Sequence, residues 1–587
     1  MISRRVVPCL ATFVLPVAAL CAGSRASASW PSSPLANVPI CMAAGSQSRP
    51  ALTTDGMGGG IIVWVDQRSG LSGDIYAQHV QADGVVAIGW PTDGVPVCTA
   101  VGDQLNQRVV SDGSGGAIAV WQDTRSGAGD IYAQHILASG TVDPSWPVDG
   151  VAICSASGNQ TSPVVTSDGA GGAIIAWLDS RSGATSDVYA QRVLISGAVG
   201  GTWPVDGRPL CLAAGNQQRL AITSDGQGGA DVAWQDFRSG ATADIYCARV
   251  LGSGAVAAGW PNDGLIVCDA AGSQLVPDVV SDLQNGMLVT WQDHRSGTTS
   301  DIYVKRLLGS GSVDPAWPVN GAPICSADAN QTVPRGVSDG AGGAIVAWMD
   351  DRNASTGTDL YAQRIGGNGL VAVTWPLNGS ALCTAFGVQT NPTIAQDGAG
   401  GAIVCWEDAR TGQSSSDIYA LHVLASGTID PQWPANGRAV CTAASQQQVP
   451  TALADGSGGT IVAWQDFRSG ATADIYAQRV QADGQLGGTV VGVTLDQHGA
   501  LLLDELRPNP WSGGALTVRY SLANDAAATL DVMDTAGRRV ASRNLAPLRG
   551  AVRIETCEFT SRPVPGVYFA RLSQGRAERV RRFVILE

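Results

Sequence analysis

One block of sequence recurs eight times along the chain. Its last copy, TIVAWQDFRSGATADIYAQRV, ends at Val480, and each copy carries a Trp, an Asp-x-Arg and an Asp-Ile-Tyr or near variant. The core tryptophans are Trp64, Trp121, Trp177, Trp234, Trp291, Trp348, Trp406 and Trp464, spaced 56 to 58 residues apart. A second series opens a Trp-Pro pair: Trp30, Trp90, Trp146, Trp203, Trp260, Trp317, Trp375 and Trp433. Sixteen of the 17 tryptophans therefore belong to the repeat. Such a period describes a structural unit that buries its apolar faces against copies of itself.

The unit reads as strands. In the copy that begins at Trp146, VAIC and PVVTSD are short apolar runs. GAGG then turns the chain, AIIAWLD follows, and a loop leads to DVYAQRVL. Glycine suits the turn because a tight hairpin needs positive φ. No run has a helical period. Four short strands recurring eight times predict an all-β fold, an eight-bladed β-propeller, followed by a small C-terminal β-sandwich. A parallel solenoid has shorter coils, and independent beads of this size bury too little surface. Each buried Trp removes roughly 150–250 Å² from water. At about 25 cal/mol per Å² that is several kcal/mol gross, before ordering entropy. The expected domains are 1–28, 29–495 and 501–587. An N-terminal strand near Ile40 is expected to complete the last blade, with TVVGVTL, ending at Leu495, as the competing closer.

Charge and cysteines narrow the function. The net charge is −14 and Lys305 is the only lysine, which argues against nucleic acid and anionic membranes. Arg4 and Arg5, the apolar run VVPCLATFVLPVAAL and the ASA that ends at Ala28 read as a secretion signal. The expected location is secreted or attached to the outer surface, with no transmembrane helix in the mature chain. One cysteine recurs per repeat (Cys41, Cys98, Cys154, Cys211, Cys268, Cys325, Cys383, Cys441). A single cysteine cannot pair within its own unit, so these read as small buried strand-end residues.

The repeated Asp-x-Arg and the Asp before the Tyr strand allow two readings. One is a loop clasp in which Arg forks onto a carboxylate. The other is a Ca²⁺ site, with Asp66 and Asp74, Asp236 and Asp244, or Asp466 and Asp474 as ligands. No other cofactor is expected. Catalysis breaks symmetry, and no nucleophile, zinc or phosphate-loop motif stands apart from the repeat. Glu407, the one glutamate before residue 500, and His294 read as surface variation.

The last 85 or so residues follow another pattern. Pro508, Asn509 and Pro510, Tyr520-Ser521-Leu522, Asp534 with Gly537 and Arg538, Gly566-Val567-Tyr568, and Arg581 and Arg582 carry it. This segment resembles the C-terminal sorting domain of type IX secretion cargo, an immunoglobulin-like module of the flagellar hook-capping type. The resemblance implies a β-sandwich and the secretion machinery as partner. Family members commonly have Lys where Arg581 and Arg582 stand. SDGxGGxxxxW, with a different spacing, resembles the Asp-box hairpin of sialidase-like propellers. The repeats also resemble bacterial extracellular repeats with no assigned activity. The reading reached from sequence is a non-enzymatic binding or adhesion module for an extracellular protein or glycan. Its alternatives are an extracellular glycan-degrading enzyme, sialidase-like or lyase-like, and a structural surface-layer protein.

Overall fold

A computed structural model describes residues 30–412, 415–488, 502–507, 516–522, 527–534, 538–545, 553–557, 559, 563–574 and 577–585. The described chain is all-β, without helix. Consequently no helix among the described residues is long and apolar enough to cross a membrane. The expected signal at 1–28 and the segment TVVGVTL lie outside the described residues.

The first strands are β1 (Val38–Cys41), β2 (Gln47–Thr54), β3 (Gly60–Asp66), β4 (Asp74–Val80) and β5 (Val95–Cys98). Strands β2 to β5 pair antiparallel in that order as sheet one. Six further sheets repeat it, beginning at Gln104, Gln160, Gln217, Gln274, Gln331 and Gln389. Sheet eight has three strands of its own, Gln447–Ala454, Thr460–Asp466 and Asp474–Val480, and takes β1 as its fourth. The short strand typified by VAIC thus closes the sheet before it, not the one after it. That offset leaves the last sheet one strand short, and β1 fills the place. Trp30 and Pro31 do the same for the Trp-Pro loop: Gln478 donates to the Pro31 carbonyl at 2.8 Å, as Gln78 does to Pro91.

Each sheet packs on the next. The first strand of every sheet lies against the first strand of its successor, and β2 touches both Gln104–Ser111 and Gln447–Ala454. Apolar clusters fill the gaps between sheets. One joins Ile40, Ile62, Trp64 and Val80 to Ile461, Ala463 and Ile475. All eight core tryptophans are fully buried. At Gly94, φ is +87° and an added Cβ would stand 2.5 Å from Trp64 Cη2, so the ring fits only against glycine.

Every first strand carries a bulge at its third residue. Arg49, Asn106, Ser162, Arg219, Val276, Val333, Asn391 and Val449 all have φ between 51° and 54°. The ladder loses register there, between Ser48 and Ala51 in sheet one. An extra residue bends the strand and re-aims its side chains.

Two further sheets lie in the C-terminal segment. One orders Leu502–Arg507, Leu516–Ser521 and Arg553–Cys557; the other orders Arg539–Leu545, Ala528–Asp534, Gly566–Gln574 and Ala577–Ile585. Leu503, Leu516 and Val518 share a buried cluster with Leu530, Val532 and Leu572.

Candidate functional site

The repeated acids are consumed by cohesion. Asp66 ends β3 and Arg68 lies in the turn after it, not on the strand. Asp66 Oδ1 accepts Arg68 N and Nε, each at 2.9 Å, while Oδ2 accepts Trp64 Nε1 at 2.8 Å and Arg68 Nη2 at 2.6 Å. The Arg68 guanidinium lies over the Tyr76 ring at 3.8 Å and also donates to Cys41 Sγ at 3.1 Å. Asp236 and Asp466 bind Arg238 and Arg468 in the same way. Burial pushes the Cys41 thiol up to about 12, so it stays a neutral packing group.

This geometry bears on the calcium candidates. The oxygens of Asp66, Asp236 and Asp466 are already engaged by Arg and Trp donors. Asp74 and Asp474 accept Ser69 and Ser469 at 2.6 and 2.5 Å, and burial raises the pKa of Asp74, Asp244 and Asp474. Among the described residues, no group of three or more His, Cys, Asp or Glu side chains is placed to hold a metal.

A second repeated pair pins the turn before the Trp strand. Asp55 Oδ1 accepts the amides of Met57 and Gly59 at 2.7 and 2.9 Å, and its Oδ2 meets His79 Nε2 at 2.9 Å. Arg192, Arg306, Arg364 and Arg479 take the His79 position elsewhere and pair with Asp168, Asp282, Asp339 and Asp455. Sheet four differs: Arg249 binds Asp231, which occupies a core position held by Ile or Leu in the other seven sheets. Lys305 is also a departure, standing where five sheets have Gln. It donates to the Val267 and Val319 carbonyls, and burial lowers its pKa. Glu407 is buried rather than a surface variant, accepting Asn391 Nδ2 at 2.8 Å and Val449 N, in the next sheet, at 2.6 Å. His294 is half-buried beside Gln292.

The departures that matter chemically sit on the first strands. At the fifth position the eight sheets carry Ala51, Arg108, Val164, Ala221, Asp278, Arg335, Thr393 and Thr451. Asp278 is the only acid on any of these strands. Its Oδ2 accepts the backbone N–H of Gly336, in sheet six, at 2.7 Å. Gly336 replaces the Leu, Val, Ile or Ala found there in the other sheets, and an added Cβ would stand 2.8 Å from Val280 Cγ2 and 3.8 Å from Asp278 Oδ2. Thr290, cross-strand from Asp278, has a buried hydroxyl without a partner. Burial raises the Asp278 pKa against the opposing pull of Arg335 and the Gly336 amide.

Four arginines share these strands: Arg49, Arg108, Arg219 and Arg335. None forms an ion pair with another described residue, whereas thirteen other arginines of the eight sheets do. Arg49 reaches Asn106 Oδ1 at 3.3 Å, and Arg108 and Arg335 donate to the carbonyls of Gln107 and Pro334. Arg108 is open to water, yet surrounding protein lowers its pKa, and Arg49 and Arg335 add like-charge repulsion. Comparing the eight QxxP-type segments position by position is the signal that would have found this set in the sequence.

In the C-terminal segment, Tyr568 is buried and donates to the Val564 carbonyl at 2.8 Å. Arg538 is exposed and bonds Asp534 at 2.7 Å. Arg581 Nε donates to the Leu503 carbonyl at 3.1 Å, while Gly566 and Arg582 lie in paired strands. Pro508, Asn509, Pro510 and Gly537 lie outside the described residues.

No family model matches the chain, and no curated protein matches it. Solved structures do. An ulvan lyase of a new polysaccharide lyase family, bound to -[GlcA(1-4)Rha3S]-, is 10% identical over 66% of this chain and 96% of its own, with a TM-score of 0.37. The Penicillium chrysogenum alpha-L-arabinanase complexed with arabinobiose is 12% identical over 52% and 88%, at 0.28. A protein of unknown function from Dyadobacter fermentans is 11% identical over 55% and 94%, at 0.32. At such identities the likeness concerns the fold alone. The non-enzymatic binding or adhesion reading is nevertheless corrected: the similar structures include proteins named as glycoside hydrolases and polysaccharide lyases. The sequence reading rested on finding no asymmetric acid, and Asp278 is one.

Proposed function

We propose that this protein is an extracellular glycan-degrading enzyme whose reacting group is Asp278. The observation that carries the reading is the Asp278–Gly336 contact. Asp278 is one carboxylate, partly desolvated and held by an amide, and no other first strand carries an acid. Burial strengthens such a carboxylate as a base. A single acid suits lyase-like cleavage, which needs one proton-abstracting base, better than hydrolysis by a carboxyl pair.

In this reading the eight sheets close as an eight-bladed propeller, with β1 as the final strand and the first strands around the axis. The packing of β2 against both Gln104–Ser111 and Gln447–Ala454, and the pairing of β1 with Asp474–Val480, support it. Residues 1–28 direct export, and residues 501–587 act as a β-sandwich sorting domain of the type IX kind.

The experiment is a turnover assay on a panel of extracellular polysaccharides with the wild type and Asp278→Asn. Cleavage of at least one glycan, lost in the variant while the melting temperature holds, supports the assignment. Absence of cleavage across the panel, or equal cleavage by the variant, removes it. For the C-terminal segment, a chain truncated before residue 501 should fail to reach the surface of a type IX-competent host.

A further inference from the structure

We infer that the cavity beside Lys305 is a binding site for a neutral, apolar-bodied aldehyde or ketone, captured there as an imine on the Lys305 amine. The inference goes beyond the proposed glycan cleavage and does not depend on it.

Lys305 is the one lysine in 587 residues, and it stands where five sheets have glutamine. Those glutamines, Gln78, Gln134, Gln191, Gln363 and Gln478, each donate to the Pro carbonyl of a Trp-Pro loop at 2.8 Å. Lys305 passes Pro318 and donates instead to the next carbonyl, that of Val319, and to the Val267 carbonyl of sheet four at 2.7 Å. Its amine therefore bridges sheets four and five. A cavity of about 370 Å³ opens there, within the size range of small-molecule pockets. Leu265, Val313 and Trp317 give it apolar walls, and Asp269, which is exposed, stands on its lining.

The amine is arranged as a nucleophile. A neutral amine has two N–H groups and one lone pair. The two carbonyls take the two N–H groups, which leaves the lone pair for an electrophile. Burial lowers the Lys305 pKa against the pull of Cys268, Cys247 and Asp269, and so enlarges the neutral share. Desolvated lysines are the ones that add to carbonyls. The lone pair attacks the carbonyl carbon while the C=O π pair moves to oxygen. A proton passes from nitrogen to that oxygen, giving a carbinolamine. Loss of the second amine proton and cleavage of the C–O bond release water and leave C=N. Amine plus carbonyl gives imine plus water, and no oxidant or reductant is needed. The walls favour an apolar body, and Asp269 repels an anionic one.

The test is reductive trapping on the full chain. Benzaldehyde, 4-carboxybenzaldehyde or glycolaldehyde is added with sodium cyanoborohydride at neutral pH, and labelled residues are read by peptide mass mapping. The α-amino group is the one other primary amine and serves as internal reference. Benzaldehyde should label Lys305 about tenfold or more faster than it labels free Nα-acetyl-lysine, the gain that about one unit of lowered pKa supplies. It should also outpace 4-carboxybenzaldehyde and glycolaldehyde. Unfolding the chain in guanidinium chloride should bring Lys305 down to the free-lysine rate. Lys305→Gln, which restores the residue of five other sheets, should lose the adduct while the melting temperature holds. No adduct on Lys305, a folded-state rate equal to that of acetyl-lysine, or preference for either of the other two aldehydes would overturn the inference.

Discussion

Gly336 donates its backbone N–H to Asp278 Oδ2 at 2.7 Å across the gap between sheets five and six. A Cβ at Gly336 would stand 2.8 Å from Val280 Cγ2 and 3.8 Å from Asp278 Oδ2, so a side chain there must displace Val280 beside the carboxylate. Gly336→Val restores the residue type of sheets two, three and five. It should abolish the activity assigned to Asp278 and move the melting temperature by only a few degrees, about the effect of 1 kcal/mol of core rearrangement. Thermal melts paired with turnover assays check both halves; full activity in this variant would disconnect Gly336 from the site.

The eight clasps should be equivalent in kind. Asp236→Asn leaves Arg238 without its charge partner and should cost about 3 kcal/mol, as should Asp408→Asn. Chemical denaturation measures the loss. Because Asp66, Asp236 and Asp466 have no free oxygens for a cation, adding Ca²⁺ or a chelator should leave the wild-type melting curve in place.

Deleting residues 30–44 removes β1, Trp30 and the Pro31 carbonyl that accepts Gln478. The edge of Asp474–Val480 is then unpaired, and Ile461 and Ile475 lose Ile40 and Trp64's neighbour Cys41 from their cluster. The whole set of sheets should melt at a lower temperature, or fail to fold. An unchanged melt in circular dichroism would show that β1 is dispensable.

Sheets two and seven carry a pH response. His135 lies between Asp112 and Asp143, and His422 between Asp397 and Asp430, at 2.8 to 3.0 Å. Burial alone would lower the imidazole pKa values, but the flanking carboxylates win and raise both above 6.5. A raised folded-state pKa means the stabilisation is complete below 6.5 and fades as pH climbs through the folded value. Asp112 and Asp397 are lowered, so their share is present above 3.8 and fades as pH falls through their folded values. Melts across pH should show wild-type stability declining on the alkaline side. His135→Arg with His422→Arg, which copies Arg306 between Asp282 and Asp314, should flatten that decline.

Asp231→Ile should be neutral or stabilising. The Asp231–Arg249 pair is buried, and burial pushes Asp231 up to about 6 despite its partner. Buried ion pairs often contribute less than the apolar residues that replace them. Arg249 can turn to Asp225, the acid its counterparts use. A loss above about 2 kcal/mol in denaturant would show that Arg249 makes no such switch.

The period of the tryptophans set the number of units at eight, and the apolar runs and glycine turns within each set four strands; for the last sheet the sequence offered both a strand near Ile40 and TVVGVTL, and the structure pairs β1 there. The count of units and strands is local, because a residue type recurring at one position must meet one environment eight times. The clasp was legible for the same reason, down to the fork of Arg68 on Asp66, although the turn location of Arg68 was not. Asp278, Gly336 and Arg335 were hidden because each is unremarkable in its own segment. Only tertiary structure sets the first strands side by side, and only there does one missing side chain open a space beside one unmatched carboxylate. Cohesion repeats along the chain and can be read from it; chemistry depends on where the repeat is broken, and those breaks meet only in space.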